Sequence, residues 1–210
     1  MTGLALYARI AGFKRPVVTT TEVSAICQLL MPAASRALKR MEVARLVTRI
    51  ARNLWMVGRQ DPMKVASYMV EPHVGYVSLH TALRLHGMIS QIPTDIYVVS
   101  TSRARRISTP IGTFSIHRMA PRMVDGYAFL PFPLATPEKA LVDYLYLSPA
   151  RSGLFSALPD LEIPPTFDIA RAEGWVDRIP SPRRRALVRA RLRKALATAE
   201  RVEWRSTVSA

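Results

Sequence analysis

The sequence predicts an α+β fold in two parts. Three observations predict it. Helical periodicity near the N-terminus is followed at once by two short β-prone runs. In the middle of the chain helices and short strands are mixed. Three helix starts are marked by a capping residue before proline, at Asp61-Pro62, Thr136-Pro137 and Ser181-Pro182. Residues 1–60 read as one unit and residues 61–210 as a second, mixed α/β unit that ends in basic helices. The 210 residues suffice for two small domains, and 49% hydrophobic content implies packed cores rather than disorder.

Within the first unit, Leu4 to Ile10 is expected to form an opening helix closed by Gly12. Thr19-Thr20-Thr21 offers a hydroxyl N-cap for a helix over Thr21–Leu30. Met31-Pro32 makes the turn, and a second helix runs from Ala33 to about Ala44. Leu46–Ile50 and Leu54–Val57 are strands of a hairpin joined by Ala51-Arg52-Asn53, where Asn53 tolerates the positive φ of a tight turn. This is the outline of a winged helix-turn-helix, which places its second helix in the major groove of DNA. Ala34, Ala37, Leu38 and Met41 form the inner stripe of that helix, with Leu46, Ile50 and Trp55 also assigned to the core. Ser35, Arg36, Lys39 and Arg40 form the outer stripe and are expected to contact bases or phosphates. Arg49, Arg52 and Asn53 on the wing, and Thr20 and Thr21 at a helix N-terminus, complete the expected DNA-binding set.

Charge points the same way. The net charge is +15, with a pI near 11.0, which favours polyanionic partners. Residues 1–60 carry ten Lys/Arg against two acids, residues 61–150 eight against six, and residues 151–210 twelve against seven. The excess therefore concentrates at the two ends, and the larger part falls on the segment whose pattern predicts DNA binding. Cys27 is the single cysteine, so no internal disulfide framework is possible, and it reads as a small core residue. No run reaches the roughly 18 apolar residues of a membrane span, and the first ten residues lack the basic start and cleavage site of a signal peptide. A cytoplasmic protein without a membrane partner is expected.

In the second unit, helices are expected over Met63–Val70 and over Leu79–His86, the latter capped by Ser78 and stopped by Gly87. Ile96–Val99, Thr113–His117 and Tyr127–Phe132 read as strands, with Arg103-Ala104-Arg105-Arg106 as a basic turn. Thr136-Pro137 opens a helix with Ala140, Leu141, Val142, Tyr144 and Leu145 as its buried stripe.

Three ordered segments of this unit carry a resemblance. They are Tyr76-Val77-Ser78-Leu79-His80-Thr81-Ala82-Leu83-Arg84-Leu85-His86-Gly87, then Gln91-Ile92-Pro93 with Ile96-Tyr97-Val98, then Ala135-Thr136-Pro137-Glu138-Lys139-Ala140-Leu141-Val142-Asp143. Behind a winged helix, in this order and spacing, the set resembles the AbiEi family, the antitoxins and transcriptional regulators of type IV toxin–antitoxin systems. The likeness covers about residues 15–150. It implies an N-terminal winged helix-turn-helix followed by a small mixed α/β antitoxin-type domain with a helical C-terminal tail. It further implies a repressor that binds inverted repeats of double-stranded DNA in its own promoter. The second domain would counteract a nucleotidyltransferase-like toxin, in this family without a stable complex. At the wing the family often shows a basic pair, Gly, Leu and an aromatic, where this chain has Arg52-Asn53-Leu54-Trp55. The alternative is a stand-alone winged-helix regulator with no toxin partner.

Towards the C-terminus, Gly153–Pro165 is proline-rich and reads as irregular, and Thr166–Arg178 as a helix with Trp175 and Val176 turned inward. A long basic helix follows from Arg183 to about Arg201, with Leu187, Val188, Leu192, Ala195 and Leu196 on one face. Its cations are either a solvated face or a second contact to nucleic acid or a partner; Arg184, Arg185 and Arg189 are the candidates, together with Arg103, Arg105 and Arg106. A membrane-surface helix would need a larger aromatic apolar face.

Catalysis finds little support. His80 and His86 are six apart and share no helix face, and the chain has no Cys pair for zinc, no Gly-rich phosphate loop and no Gly-x-Ser-x-Gly elbow. No catalytic residue, metal or cofactor is expected. A metal-dependent nuclease using Asp95 and Glu138 is the distant alternative, although Glu138 is accounted for by its place in the first turn of a helix.

Overall fold

The computed structural model describes residues 3–129, 131–148 and 160–201, and its class is α+β. The chain opens with α1 (Gly3–Ala11), β1 (Val17–Thr19), α2 (Thr20–Cys27) and α3 (Met31–Val43), followed by the hairpin β2 (Val47–Ala51) and β3 (Leu54–Val57). Strand β1 is an addition to the elements expected from sequence. It pairs antiparallel with β3, so the sheet order is β1-β3-β2. Three residues are too few to show a period, which is why β1 escapes pattern reading.

Helix α2 starts one residue earlier than expected because Thr19 is its cap. Thr19 Oγ1 accepts from the Glu22 N–H at 3.1 Å and Glu22 Oε2 accepts from the Thr19 N–H at 2.6 Å, a reciprocal capping box. The helix closes on Gln28, whose φ of 53° is left-handed. Helix α3 also starts earlier, at Met31, with Pro32 inside its first turn. Val23, Cys27, Ala34, Ala37, Leu38 and Met41 pack with Leu6, Ile10 and Trp55 into one core, while Leu46 is half-buried.

The second unit begins with α4 (Pro62–Val65), capped by Asp61, which tightens into a 3₁₀ turn over Ala66–Val70. The single helix expected over Met63–Val70 is thus split. Then come β4 (Gly75–Val77), α5 (Leu79–Leu85), β5 (Ile96–Ser100), β6 (Arg105–Thr109), β7 (Gly112–Arg118), β8 (Tyr127–Ala128), β9 (Leu134–Ala135) and α6 (Pro137–Leu147). The strands form one six-stranded sheet in the order β6-β7-β5-β4-β9-β8, with β5–β7 and β4–β9 parallel and the other pairs antiparallel. The basic segment expected as a turn therefore supplies Arg105 and Arg106 to an edge strand, and the strand expected over Tyr127–Phe132 is only two residues long. The rest of the chain forms β10 (Glu162–Ile163), α7 (Ile169–Asp177), α8 (Pro182–Thr198) and β11 (Glu200–Arg201), with β10 parallel to β11. Residues 153–159 of the segment expected to be irregular lie outside the described residues.

The central strands β4, β5 and β7 are covered on both faces, and alternation along them decides which side chain goes where. Tyr76, Tyr97, Val99 and Met119 face α5, α6, α7 and α8. Val77, Ile96, Val98, Phe114 and Ile116 face the 3₁₀ turn and, beyond it, Val17, Ile50 and Met56 of the N-terminal unit. A strand covered on both sides reads as an unbroken apolar run, as Ile96-Tyr97-Val98-Val99 does. The two units therefore share a hydrophobic cluster and are not beads on a linker.

Candidate nucleic-acid interface

Helix α3 divides cleanly. Ala34, Ala37, Leu38 and Met41 are buried, and Arg36, Lys39 and Arg40 are exposed on the opposite side, with Ser35 half-buried at the edge of that face. No carboxylate pairs with Arg36, Lys39 or Arg40 among the described residues. The two acids of this unit are committed elsewhere. Glu22 caps α2 and pairs with Arg15 at 2.6 Å, and Glu42 Oε1 accepts the Arg49 backbone N–H at 3.0 Å. Val43, 87% exposed, also lies on the outer side of α3. Pattern reading misses it because an apolar residue is not sought on a cationic face; its spacing from Arg36 and Lys39, seven and four residues, would have placed it there.

The hairpin lies beside the N-terminus of α2 and is tied to it twice. Asn53, at φ 62°, turns its side chain so that Oδ1 accepts the Thr20 N–H at 3.0 Å. The Trp55 indole N–H donates to Thr20 Oγ1 at 3.0 Å. Thr20 is buried, so its hydroxyl faces the core, in contrast with the outward role expected of it; Thr21 is exposed. Arg49 and Arg52 are exposed, and the Arg49 guanidinium lies 5.8 Å from the Trp55 ring centroid. A register shift between Arg49 and Ala51 bends the end of the hairpin.

The expected second set of cations is largely consumed by the protein itself. Arg106 grips Asp95 with two hydrogen bonds of 2.7 and 2.8 Å, and Arg105 donates to the Met69 carbonyl at 2.7 Å. Arg184 donates to the Tyr146 carbonyl at 2.6 Å and lies over its ring, and Arg185 donates to the Ile179 carbonyl at 2.9 Å. Arg189 pairs with Glu173 at 2.9 Å and also with Asp177. Arg103, Arg183 and Lys194 are exposed and have no carboxylate partner among the described residues. The apolar face of α8 is narrower than expected: Val188, Leu192 and Ala195 are buried, Leu196 is half-buried and Leu187 is exposed. Leu187 lies about 100° around the helix from Val188, which turns it out of the stripe.

The polar residues of the three resembling segments meet in the core of the second unit. Asp143 Oδ2 accepts from Tyr76 Oη at 2.9 Å and from Ser78 Oγ at 2.8 Å, and Asp143 Oδ1 pairs with Lys139 Nζ one helical turn away. All four side chains are fully buried. Burial pushes the Asp143 carboxyl up against the opposing pull of Lys139, and pushes the Tyr76 hydroxyl far above its usual range. Ser78 stands at the N-cap of α5 but gives its hydroxyl to Asp143 rather than to the helix. Thr81 Oγ1 accepts the Tyr97 N–H at 2.9 Å and donates to the Asp95 carbonyl at 3.2 Å; His86 Nε2 donates to the Ala135 carbonyl at 2.7 Å. These bonds stitch the three segments to one another.

Of the two carboxylates weighed for a nuclease, Asp95 is taken up by an arginine, whereas Glu138 has one oxygen bonded and its buried Oε2 without a hydrogen-bond partner among the described residues. Asp95 is held by Arg106, which keeps its carboxyl below the usual range. Glu138 is buried and accepts the Asp168 N–H at 3.0 Å. Among the described residues no three His, Cys, Asp or Glu side chains gather as a metal site, and no helix is long and apolar enough to cross a membrane. No protein-family model matches the chain, and no curated protein matches it.

Proposed function

We propose that this chain is a DNA-binding transcriptional repressor acting in the cytoplasm, with residues 1–60 as a winged helix-turn-helix. The observation that carries the reading is the outer face of α3, where Arg36, Lys39 and Arg40 are exposed and free of carboxylate partners while the opposite face is wholly buried. A cationic helix held rigidly by its back, beside a hairpin bearing Arg49 and Arg52, has the shape and charge that double-stranded DNA recognises. On this reading α3 lies in the major groove and the hairpin follows the adjoining phosphates. Thr21, exposed in the first turn of α2, meets phosphate from the helix N-terminus.

The test is a titration on DNA from immediately upstream of the gene, with a scrambled duplex as control, at two salt concentrations. Specific binding that survives moderate salt and is lost in an Arg36→Ala/Arg40→Ala variant supports the repressor. Equal, strongly salt-dependent binding to both duplexes would sink it.

The finer reading, an antitoxin against a nucleotidyltransferase-like toxin, rests on the resemblance of segments 76–87, 91–98 and 135–143 to the AbiEi family. The bonds of Tyr76 and Ser78 to Asp143, and of Thr81 to the Asp95 and Tyr97 backbone, interlock those segments and supply a structural reason for the pattern. Co-expression with a neighbouring nucleotidyltransferase-like gene should restore growth; failure to restore it, with promoter binding intact, would favour the stand-alone regulator.

A further inference from the structure

A cleft of about 620 Å³ lies where the two units meet. Tyr7 of α1 and Lys14 line it from the N-terminal unit; Lys64 of α4, Tyr68 of the 3₁₀ turn, and Phe129 and Phe132 between β8 and β9 line it from the second unit. The volume falls within the roughly 300–1,000 Å³ of small-molecule sites, which concentrate at junctions between structural units.

The charged residues of the lining are three cations, Lys14, Arg15 and Lys64, against one carboxylate, Glu71. Arg15 is already satisfied. Its guanidinium bridges Glu22 at 2.6 Å and Glu71 at 3.2 Å and lies 5.2 Å from the Tyr68 ring centroid. Glu71 shares that guanidinium with Glu22, and the lining still holds three cations against its one carboxylate. Lys14 and Lys64 are exposed and have no carboxylate partner among the described residues, so their charge is available to whatever enters. Beside them stand aromatic rings, and Phe129 is exposed although it lines a concave surface. Two such ammonium groups in a cleft with the exposed Phe129 ring match a ligand with an anionic head on a flat apolar body.

We infer that this cleft binds a small planar aromatic carboxylate. The ring system lies against Phe129, and the carboxylate sits with Lys14 and Lys64. The inference concerns the junction and stands apart from the DNA-binding reading, because its test measures ligand binding alone.

The test is calorimetric titration of the full chain with phenylacetate, indole-3-acetate and 1-naphthoate, with indole-3-acetamide as the uncharged control. At least one carboxylate is expected to saturate a single site. The amide should bind at least about tenfold more weakly, as should the carboxylate to a Lys14→Gln/Lys64→Gln variant, because each loses a charge-assisted contact. Both substitutions are on the surface and keep much of the aliphatic stems, and circular dichroism checks that the variant stays folded. Phe129→Ala should weaken binding without altering the preference for carboxylate over amide. Failure of all three carboxylates to saturate, equal binding of acid and amide, or unchanged affinity in the double variant would each overturn the inference.

Discussion

The Trp55 indole N–H donates to Thr20 Oγ1 at 3.0 Å, inside the core, and joins the hairpin to the first residue of α2. Thr20→Val leaves that N–H buried without an acceptor while conserving shape. It is expected to cost about 1–3 kcal/mol, and Thr20→Ser, which keeps the oxygen, much less. Urea denaturation of the two variants makes the comparison. Equal midpoints would show that the bond contributes nothing.

Asp143 is surrounded by donors from Lys139, Tyr76 and Ser78, with no water-facing side. Asp143→Ala strands a buried ammonium and is expected to destabilise by about 3–5 kcal/mol. Removing both charges in Lys139→Met/Asp143→Leu should recover much of that loss, since no lone charge then remains. A double variant less stable than Asp143→Ala would contradict the argument.

Gly126 lies at φ 76°, and a Cβ there would run into the Trp175 ring of α7, overlapping Cζ2 and lying only 2.9 Å from Cε2. Gly126→Ala therefore meets both a left-handed backbone and an overpacked ring. A loss of about 1–3 kcal/mol is expected. Thermal unfolding reads it out, and an unchanged midpoint would mean that Trp175 moves aside freely.

His80 and His117 flank Tyr97, with ring centroids 5.1 and 5.8 Å from it. Burial lowers both imidazoles; His117 is lowered further by His80 and raised by Asp95. In the unfolded chain each protonates near pH 6.5, while in the fold each stays neutral to lower pH. The unfolded state therefore binds more protons in that interval, so stability held above about pH 6.5 is lost as pH falls below it. Asp95, whose carboxyl is lowered by Arg106, loses its contribution only in the more acidic carboxylate range. The urea midpoint should drop between about pH 7.5 and pH 5.5, and His80→Gln/His117→Gln should flatten that drop. An identical slope in the variant would remove the histidines from the account.

Position on the cationic surface predicts two kinds of DNA-binding variant. If Arg36 touches a base edge, Arg36→Ala should cost about 1–3 kcal/mol and relax sequence preference. Arg49→Ala should weaken all sequences alike and reduce the salt slope by about one unit. Arg189→Ala, by contrast, should leave the slope unchanged, because that side chain is held by Glu173 and Asp177. A reduced slope for Arg189→Ala would reopen α8 as a second contact.

How much is legible before folding depends on the range of the signal. Helix α3 can be read because its inner and outer residues repeat with the helical period, and the capped starts at Asp61, Thr136 and Ser181 because a cap and a proline are local devices. Strands β1, β4, β6 and β9 are not legible. Strands β1, β4 and β9 have three residues or fewer and exist only because a distant partner completes their hydrogen bonds, and β6 is a polar, largely exposed edge strand with no apolar run to mark it.

By itself, then, the sequence determined an α+β chain with a cationic helix backed by an apolar stripe, since composition and period are properties of neighbouring residues. The tertiary structure decided which charges are free. Arg184, Arg185 and Arg189 look identical in sequence to Arg36 and Arg40, yet carbonyls and carboxylates from Tyr146, Ile179, Glu173 and Asp177 occupy them. Likewise Lys139 and Asp143 read as an ordinary helical pair until the sheet closes over them. A charge finds its partner through space, and the fold alone brings such partners within reach.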